Sequence, residues 1–302
     1  MDAQEFASRY DDIIRHPMMR TLYGTTGYFN VGYWVGGIDE LGAACDRLVD
    51  EVAAAIPADA RVIFDIGCGL GAGSRRLAQL FPAARVVACN ISAWQLTEAK
   101  RRGLEVVELD ATDMPFEDGS ADAVTAMESA QHFDTRADFL REAWRVLRPG
   151  GVISLADMLF ADRQPIGSWM LPRGNATADP AAYADLLREA GFTDVVVRDS
   201  TDLTWRPHCD AMRASAPDQA GNIDGFERSL AYYVFASAGR CSTPFATSPA
   251  KRFARSPGRG FARASSGRWT ISPSNSAPER RSAFSAATAR ARARCSRCST
   301  AS

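Results

Sequence analysis

The chain has 302 residues, 35 Lys and Arg against 36 Asp and Glu, 46% apolar residues and a mean hydropathy of −0.19, which is material for one large or two small globular domains. No apolar run approaches the roughly 18 residues of a membrane span, which excludes an integral helical membrane protein. The acidic opening MDAQEFASRYDD lacks the basic and then apolar start of a secretory signal, so a cytoplasmic protein is expected.

In chain order, residues 1–60 predict a helix-compatible opening segment, an aromatic and glycine-rich loop (TLYGTTGYFNVGYWVGG, residues 21–37) and a second helix over 38–56. The aliphatic run at 61–66 predicts a strand and GCGLGAG a tight turn. Leu77, Leu80 and Phe81, spaced i, i+3, i+4, predict a helix after it. A second strand at 85–90 precedes ISAWQLTEAKRRG, a helix that Ser92 can cap and Gly103 can end. Strands at 104–109, 122–127 and 151–157 follow, with an amphipathic helix at 136–147 stopped by Arg148-Pro149-Gly150-Gly151. Beyond a polar stretch to Asp179 come a helix at 180–190 and strands at 194–199 and 232–238. Strands alternating with helices at this spacing mean an α/β protein with a parallel sheet.

The near-neutral total hides a split. Residues 239–302 hold 13 Lys and Arg against one acid, Glu279, for a net +12, which leaves −13 on residues 1–238. These 64 positions contain 13 Ser, 13 Ala, no Leu or Val and a single Ile, Ile271. With no periodic apolar face to bury, the tail reads as disordered. The abrupt change of composition suits a shifted reading frame or a fusion scar better than an evolved nucleic-acid arm, the alternative for a basic block. The seven cysteines imply no disulfide framework. Cys295 and Cys298 have C-x-x-C spacing, but no second pair completes a zinc site.

In Asp65-Ile66-Gly67-Cys68-Gly69-Leu70-Gly71 the glycines lie between a strand and a helix, the context of a nucleotide-cofactor turn. The G-x-G-x-G spacing departs from G-x-G-x-x-G and points away from a dinucleotide. With an acid two positions before the first glycine, residues 25–238 resemble a class I S-adenosylmethionine-dependent methyltransferase. The resemblance implies S-adenosyl-L-methionine as cofactor and a Rossmann-like seven-stranded, mostly parallel sheet with helices on both faces. It makes residues 1–60 an N-terminal helical lid and 61–238 the cofactor-binding core. It assigns Asp65 to the cofactor amino group, directly or through water, and Gly67, Cys68 and Gly69 to its methionine and ribose. Asn90 stands where the family usually has an acid for both ribose hydroxyls, with Ile91 and Gln95 following. An amide bond is weaker than a charge-assisted one, so weaker ribose binding is expected. Asp110, Ala111 and Thr112 would meet the adenine, and Tyr33 or Trp34 would close over the sulfonium.

Ligands of open parallel sheets bind outside the carboxyl ends of the strands, where His132 and Asp157 are expected to face one another. The string ESAQHFDTRADFLREAWRVLRPGG, with FNVGYW upstream, resembles small-molecule O-methyltransferases of natural-product pathways acting on polyketides, peptide–polyketide hybrids and their sugars. Removal of a hydroxyl proton needs a base, and an imidazole with a pKa near 6.5 suits cytoplasmic pH. The expected base is therefore His132, oriented or assisted by Asp157. The sugar-methylating relatives have a His pair where this chain has Gln131-His132. Glu128 is expected to orient a neighbour or contact the lid. His16, and His208 on a late loop, are expected to be structural. Residues 160–175, including Trp169, Met170 and Asn175, would shape the acceptor pocket. Asp134, Asp138 and Asp157 form no recognisable oxygen-ligand set, so no metal is expected. The expected partner is a small-molecule hydroxyl acceptor, without membrane or nucleic acid. The alternatives are N- or C-methylation, or a non-enzymatic binding protein that keeps the fold and uses the basic tail.

Overall fold

The computed structural model describes residues 3–160, 171, 172, 174–242, 262, 263, 269 and 270. The chain separates into two units, Met1–Ala246 and Thr247–Ser302. Within the second, β8 (Ala262–Arg263) and β9 (Trp269–Thr270) pair antiparallel. Apart from these and residues 239–242, the tail on which the disorder expectation rests lies outside the described residues.

In the first unit, α1 (Ala3–Arg15), α2 (Pro17–Tyr23) and α3 (Leu41–Ala53) precede β1 (Val62–Ile66) and α4 (Ala72–Leu80). Then come β2 (Arg85–Asn90), α5 (Ala93–Arg101), β3 (Glu105–Glu108), β4 (Ala121–Met127), α6 (Arg136–Val146) and β5 (Leu147–Leu159). The unit closes with α7 (Pro180–Glu189), β6 (Thr193–Asp199), α8 (Trp205–Ser215), α9 (Ala220–Ser229) and β7 (Tyr232–Gly239). These seven strands form one sheet in the order β3-β2-β1-β4-β5-β7-β6. It is parallel except for β7, which runs antiparallel to β5 and β6.

Side-chain alternation along the strands feeds two cores. Phe64 and Ile66 of β1 pack with Phe139 and Leu140 of α6 and Leu187 of α7. Ile63, one residue before Phe64, packs on the opposite face with Cys45 and Val49 of α3 and Leu77 of α4. Burial on both faces is why the central strands read as unbroken aliphatic runs. The helix starts are capped as their sequences suggest. Ser92 Oγ accepts the Gln95 amide at 3.1 Å, and Asp179 Oδ1 accepts that of Ala182 at 2.8 Å.

Three expectations need correction. The Arg148-Pro149-Gly150-Gly151 stop lies inside β5, where the register with β4 shifts between Ala121 and Ala123, so the strand starts at Leu147. Helices α8 and α9 occupy a stretch for which no element was expected, and His208 sits within α8, not on a loop. The fold continues past residue 238: Gly239 pairs with Val152, and the Arg240 amide donates to Gly151 O at 2.8 Å. Strand order reverses between β1 and β4, and the carboxyl ends of those strands carry the site.

Candidate active site

The glycine turn leaves β1 with its backbone pinned to β2, since the amides of Gly67 and Cys68 both donate to Cys89 O, at 2.8 and 3.0 Å. Its glycines have different reasons to be glycine. Gly67 (φ +77°) would place a Cβ 2.4 Å from Ser129 Cβ, and Gly71 (φ +89°) one 2.8 Å from Ala99 Cβ. Gly69 (φ +56°) has nothing within 4 Å of that position. The first and third glycines serve packing, whereas the second opens onto a cavity.

That cavity measures about 630 Å³ and is lined by seven of the expected cofactor residues: Gly67, Gly69, Asn90, Ile91, Gln95, Asp110 and Ala111. A smaller hollow of about 50 Å³ shares Phe29, Gly67, Gly69 and Met127 with it and adds Asp65 and Cys68. Asp65 is 1% exposed and accepts from Ser74 Oγ at 2.5 Å and Thr125 Oγ1 at 2.9 Å. Burial outweighs those bonds and pushes its pKa up to about 6. Burial also raises the Cys68 thiol well above its ordinary value, so it stays protonated. Thr112 does not line the cavity. Its amide and hydroxyl both donate to Asp110 Oδ1 at 2.8 Å, which fixes the acid instead.

Tyr33 and Trp34 are corrected as well. Gly32 (φ +77°) turns the loop against Ala44, and the Tyr33 amide donates to Ala44 O at 2.8 Å. The Tyr33 ring packs edge-on to Phe235 in the core, with centroids 5.2 Å apart. Trp34 Nε1 donates to Val31 O at 2.9 Å and its amide to Leu203 O at 2.7 Å. The aromatic walls are Phe29 and Phe133, with Phe6 and Tyr10 from α1. Tyr10 stands edge-on to both Phe29 and His132, at 5.9 and 5.2 Å between centroids. Reasoning from sequence missed the α1 contribution. Its signal was present, because Phe6, Ala7, Tyr10 and Ile14 recur at helical spacing in the opening segment.

His132 ends the single 3-10 turn Ala130–His132 after β4, is 8% exposed and lines the cavity. Asp157 does not face it. Asp157 is fully buried and accepts from Arg136 Nε at 2.8 Å, from the Tyr183 hydroxyl at 2.8 Å and from the Met158 amide at 2.9 Å. A buried carboxylate needs such partners to keep its charge, and they consume it. Arg136, itself 1% exposed, goes on to donate to Asn175 O and Thr177 Oγ1, at 2.8 and 2.9 Å. Asn175 Nδ2 donates to the carbonyls of Gln131 and Phe133, at 2.9 and 2.7 Å. Asp157 and Asn175 therefore buttress the turn that carries His132. Trp169 and Met170 lie outside the described residues.

Glu128 stands at the cavity wall with φ +55°. Its Oε1 accepts from the Val31 amide at 2.9 Å and the Tyr233 hydroxyl at 2.7 Å, tying the aromatic loop to β7. It is 7% exposed, and burial pushes its pKa up to about 7. Of the other histidines, His16 caps α2, accepting the Met18 amide on Nδ1 at 3.3 Å. His208 is buried, which lowers its pKa to about 4 and keeps it neutral. Among the described residues no three His, Cys, Asp or Glu are grouped to hold a metal, and no helix is long and apolar enough to cross a membrane.

Residues 64–155 match the methyltransferase domain family. The chain is 30% identical over 239 residues to erythromycin 3''-O-methyltransferase of Saccharopolyspora erythraea, covering 72% of this chain and 76% of that one. The chain belongs to the S-adenosylmethionine-dependent methyltransferases. Another relative, methyltransferase GfsG of Streptomyces halstedii, is 33% identical over 220 residues, 67% of this chain and 77% of its own. The fold is shared with the [4+2]-cyclase SpnF at a TM-score of 0.66 and 22% identity, over 80% of this chain and 98% of that one. S-adenosylmethionine is the methyltransferase cofactor, and the residues present fit it. Gly69 leaves a Cβ-sized space on the cavity floor, and Asp65 is a buried carboxylate suited to an ammonium group. Leu109, Ile91 and Ala111 supply apolar surface for a flat base. When bound, the cofactor supplies a methyl group already activated by its positive sulfur. The methyltransferase itself has then to exclude water, place the acceptor and receive any proton the acceptor loses.

Proposed function

We propose that this chain is an O-methyltransferase that methylates a hydroxyl of a small natural product, such as a polyketide, a peptide–polyketide hybrid or a glycoside, with His132 as the base. The observation that carries this reading is an imidazole on the wall of a largely apolar, aromatic-walled cavity, beside the glycine turn. His132 takes the hydroxyl proton as the acceptor oxygen gains the methyl group, and Tyr10, Phe29 and Phe133 keep water from the exchange. Asp157 and Asn175 hold the turn of His132 and touch neither reactant. The name of the erythromycin relative supports an oxygen acceptor on a natural product.

The test is transfer of labelled methyl from S-adenosylmethionine to a panel of hydroxylated macrolides and glycosides, with the product located by mass spectrometry. His132→Ala is expected to cut turnover by about 10²–10⁴-fold while calorimetric affinity for S-adenosylhomocysteine stays unchanged. A nitrogen- or carbon-methylated product, or turnover indifferent to His132, would refute the reading. Glu128 also stands at the wall, with its pKa pushed up to about 7 by burial. Loss of turnover in Glu128→Gln but not in His132→Ala would transfer the role of base to it.

A further inference from the structure

At the end of β2, polar side chains form one directed chain of hydrogen bonds. The Ser92 backbone amide can only donate, so the Asn90 atom it meets at 3.1 Å is Oδ1. Asn90 Nδ2 therefore faces Gln95 and donates to its Oε1 at 2.9 Å. Gln95 Nε2 points onward and meets Asp11 Oδ1 at 2.7 Å. Asp11 arrives from α1, is 8% exposed, and also accepts from Ser92 Oγ, at 2.8 and 2.9 Å to its two oxygens. An ionised carboxylate only accepts, so Asp11 sets the sense of both amides from one end as the Ser92 amide does from the other.

In that sense, Asn90 Oδ1 and Gln95 Oε1 each accept one hydrogen bond and keep a second lone pair. Both residues line the cavity, and Asp11 does not. We propose that these two amide oxygens together accept the two ribose hydroxyls of S-adenosylmethionine, and that Asp11 is the positioning residue that presents them as acceptors. A cis-diol brings two O–H donors, which one carboxylate can take alone and which here fall to a pair of neutral oxygens. The charge of Asp11, one amide removed, polarises Gln95 and strengthens its Oε1 as an acceptor. The acid absent from β2 thus acts from the lid helix, and seating of α1 becomes part of cofactor recognition. This inference rests on the cofactor alone and stands apart from the identity of the acceptor and of the base.

Calorimetric titration of the full chain with S-adenosylhomocysteine and with its 2′,3′-dideoxyribose analogue tests it. Asp11→Asn is expected to weaken S-adenosylhomocysteine by about tenfold, the scale of one charge-assisted bond, and to leave the analogue nearly unchanged. In Asp11→Asn with Asn90→Asp the same chain runs in the opposite sense, from residue 11 through Gln95 to an acid on β2, and the preference for the diol returns. Equal losses for both ligands would make Asp11 a general lid contact and overturn the proposal, as would no loss for either. Thermal unfolding checks that Asp11→Asn folds. Gln95→Leu, which keeps the bond between Asp11 and Ser92, has to lose the same preference, and full retention there would equally overturn it.

Discussion

Glu128 has two donors on one oxygen and no ion pair among the described residues. Burial outweighs the donors, and its pKa rises to about 7. The folded chain therefore keeps this proton at pH values where the unfolded chain, with an ordinary carboxyl near 4.5, has lost it. The associated stability is complete below about pH 4.5 and declines as pH rises towards about 7, by roughly 3 kcal/mol at most. Glu128→Gln is expected to remove that part of the slope, measured as denaturant midpoints from pH 4.5 to 8. An unchanged slope would show that Glu128 titrates normally. Asp65, pushed up to about 6 by burial, contributes a fall of the same sign that ends lower, and the variant keeps it. At this scale the sequence discloses identity but not environment. His132 is legible because it closely follows a strand end, whereas the pKa of Glu128 is raised by burial under distant elements and only partly offset by its donors Val31 and Tyr233, 97 and 105 residues away.

Among the elements, the buttress between β5 and α6 does what no single residue could. Asp157 and Arg136 are fully buried, and the ion pair reaches through Asn175 to the carbonyls on either side of His132. Asp157→Asn is expected to cost about 3–5 kcal/mol in urea unfolding, because it strands a buried guanidinium. A cost below 1 kcal/mol would mean that Arg136 finds another partner. The strands and the capped helices α5 and α7 are legible from periodicity and cap residues, which are local signals. Helix α8 escapes because Pro207 reads as a breaker, although a first-turn proline is compatible with a helix. Its apolar residues Trp205, Cys209 and Met212 do recur at helical spacing. Helix α9 carries Gly221 and Gly225 and buries only Ile223, so its propensity is poor and packing has to supply the rest.

For the whole molecule, the change in composition near residue 239 and the structural boundary differ by a few residues. Gly239 pairs with both Val152 and Thr193, and the Arg240 guanidinium lies 4.0 Å from the Trp144 ring while donating to the carbonyls of Trp144 and Arg145. Truncation after Ala246 is expected to leave the unfolding midpoint of the first unit unchanged. Truncation after Ala238 removes these contacts and is expected to cost about 1–3 kcal/mol, read by thermal unfolding. Equal midpoints for the two truncations would place the boundary at residue 238.

The sequence by itself determined the alternation of strands and helices, the cofactor turn and the position of His132 just beyond a strand end. Each depends on residues within a few positions of one another, where spacing alone sets the geometry. Only the tertiary structure decided that Phe6 and Tyr10, not Tyr33 and Trp34, wall the cavity. It also decided that Asp157 serves Arg136 and that Asp11 reaches Gln95 across 84 residues. Those partners meet because helices dock on a sheet and bury their apolar faces, and no local pattern along the chain encodes which side chains then touch.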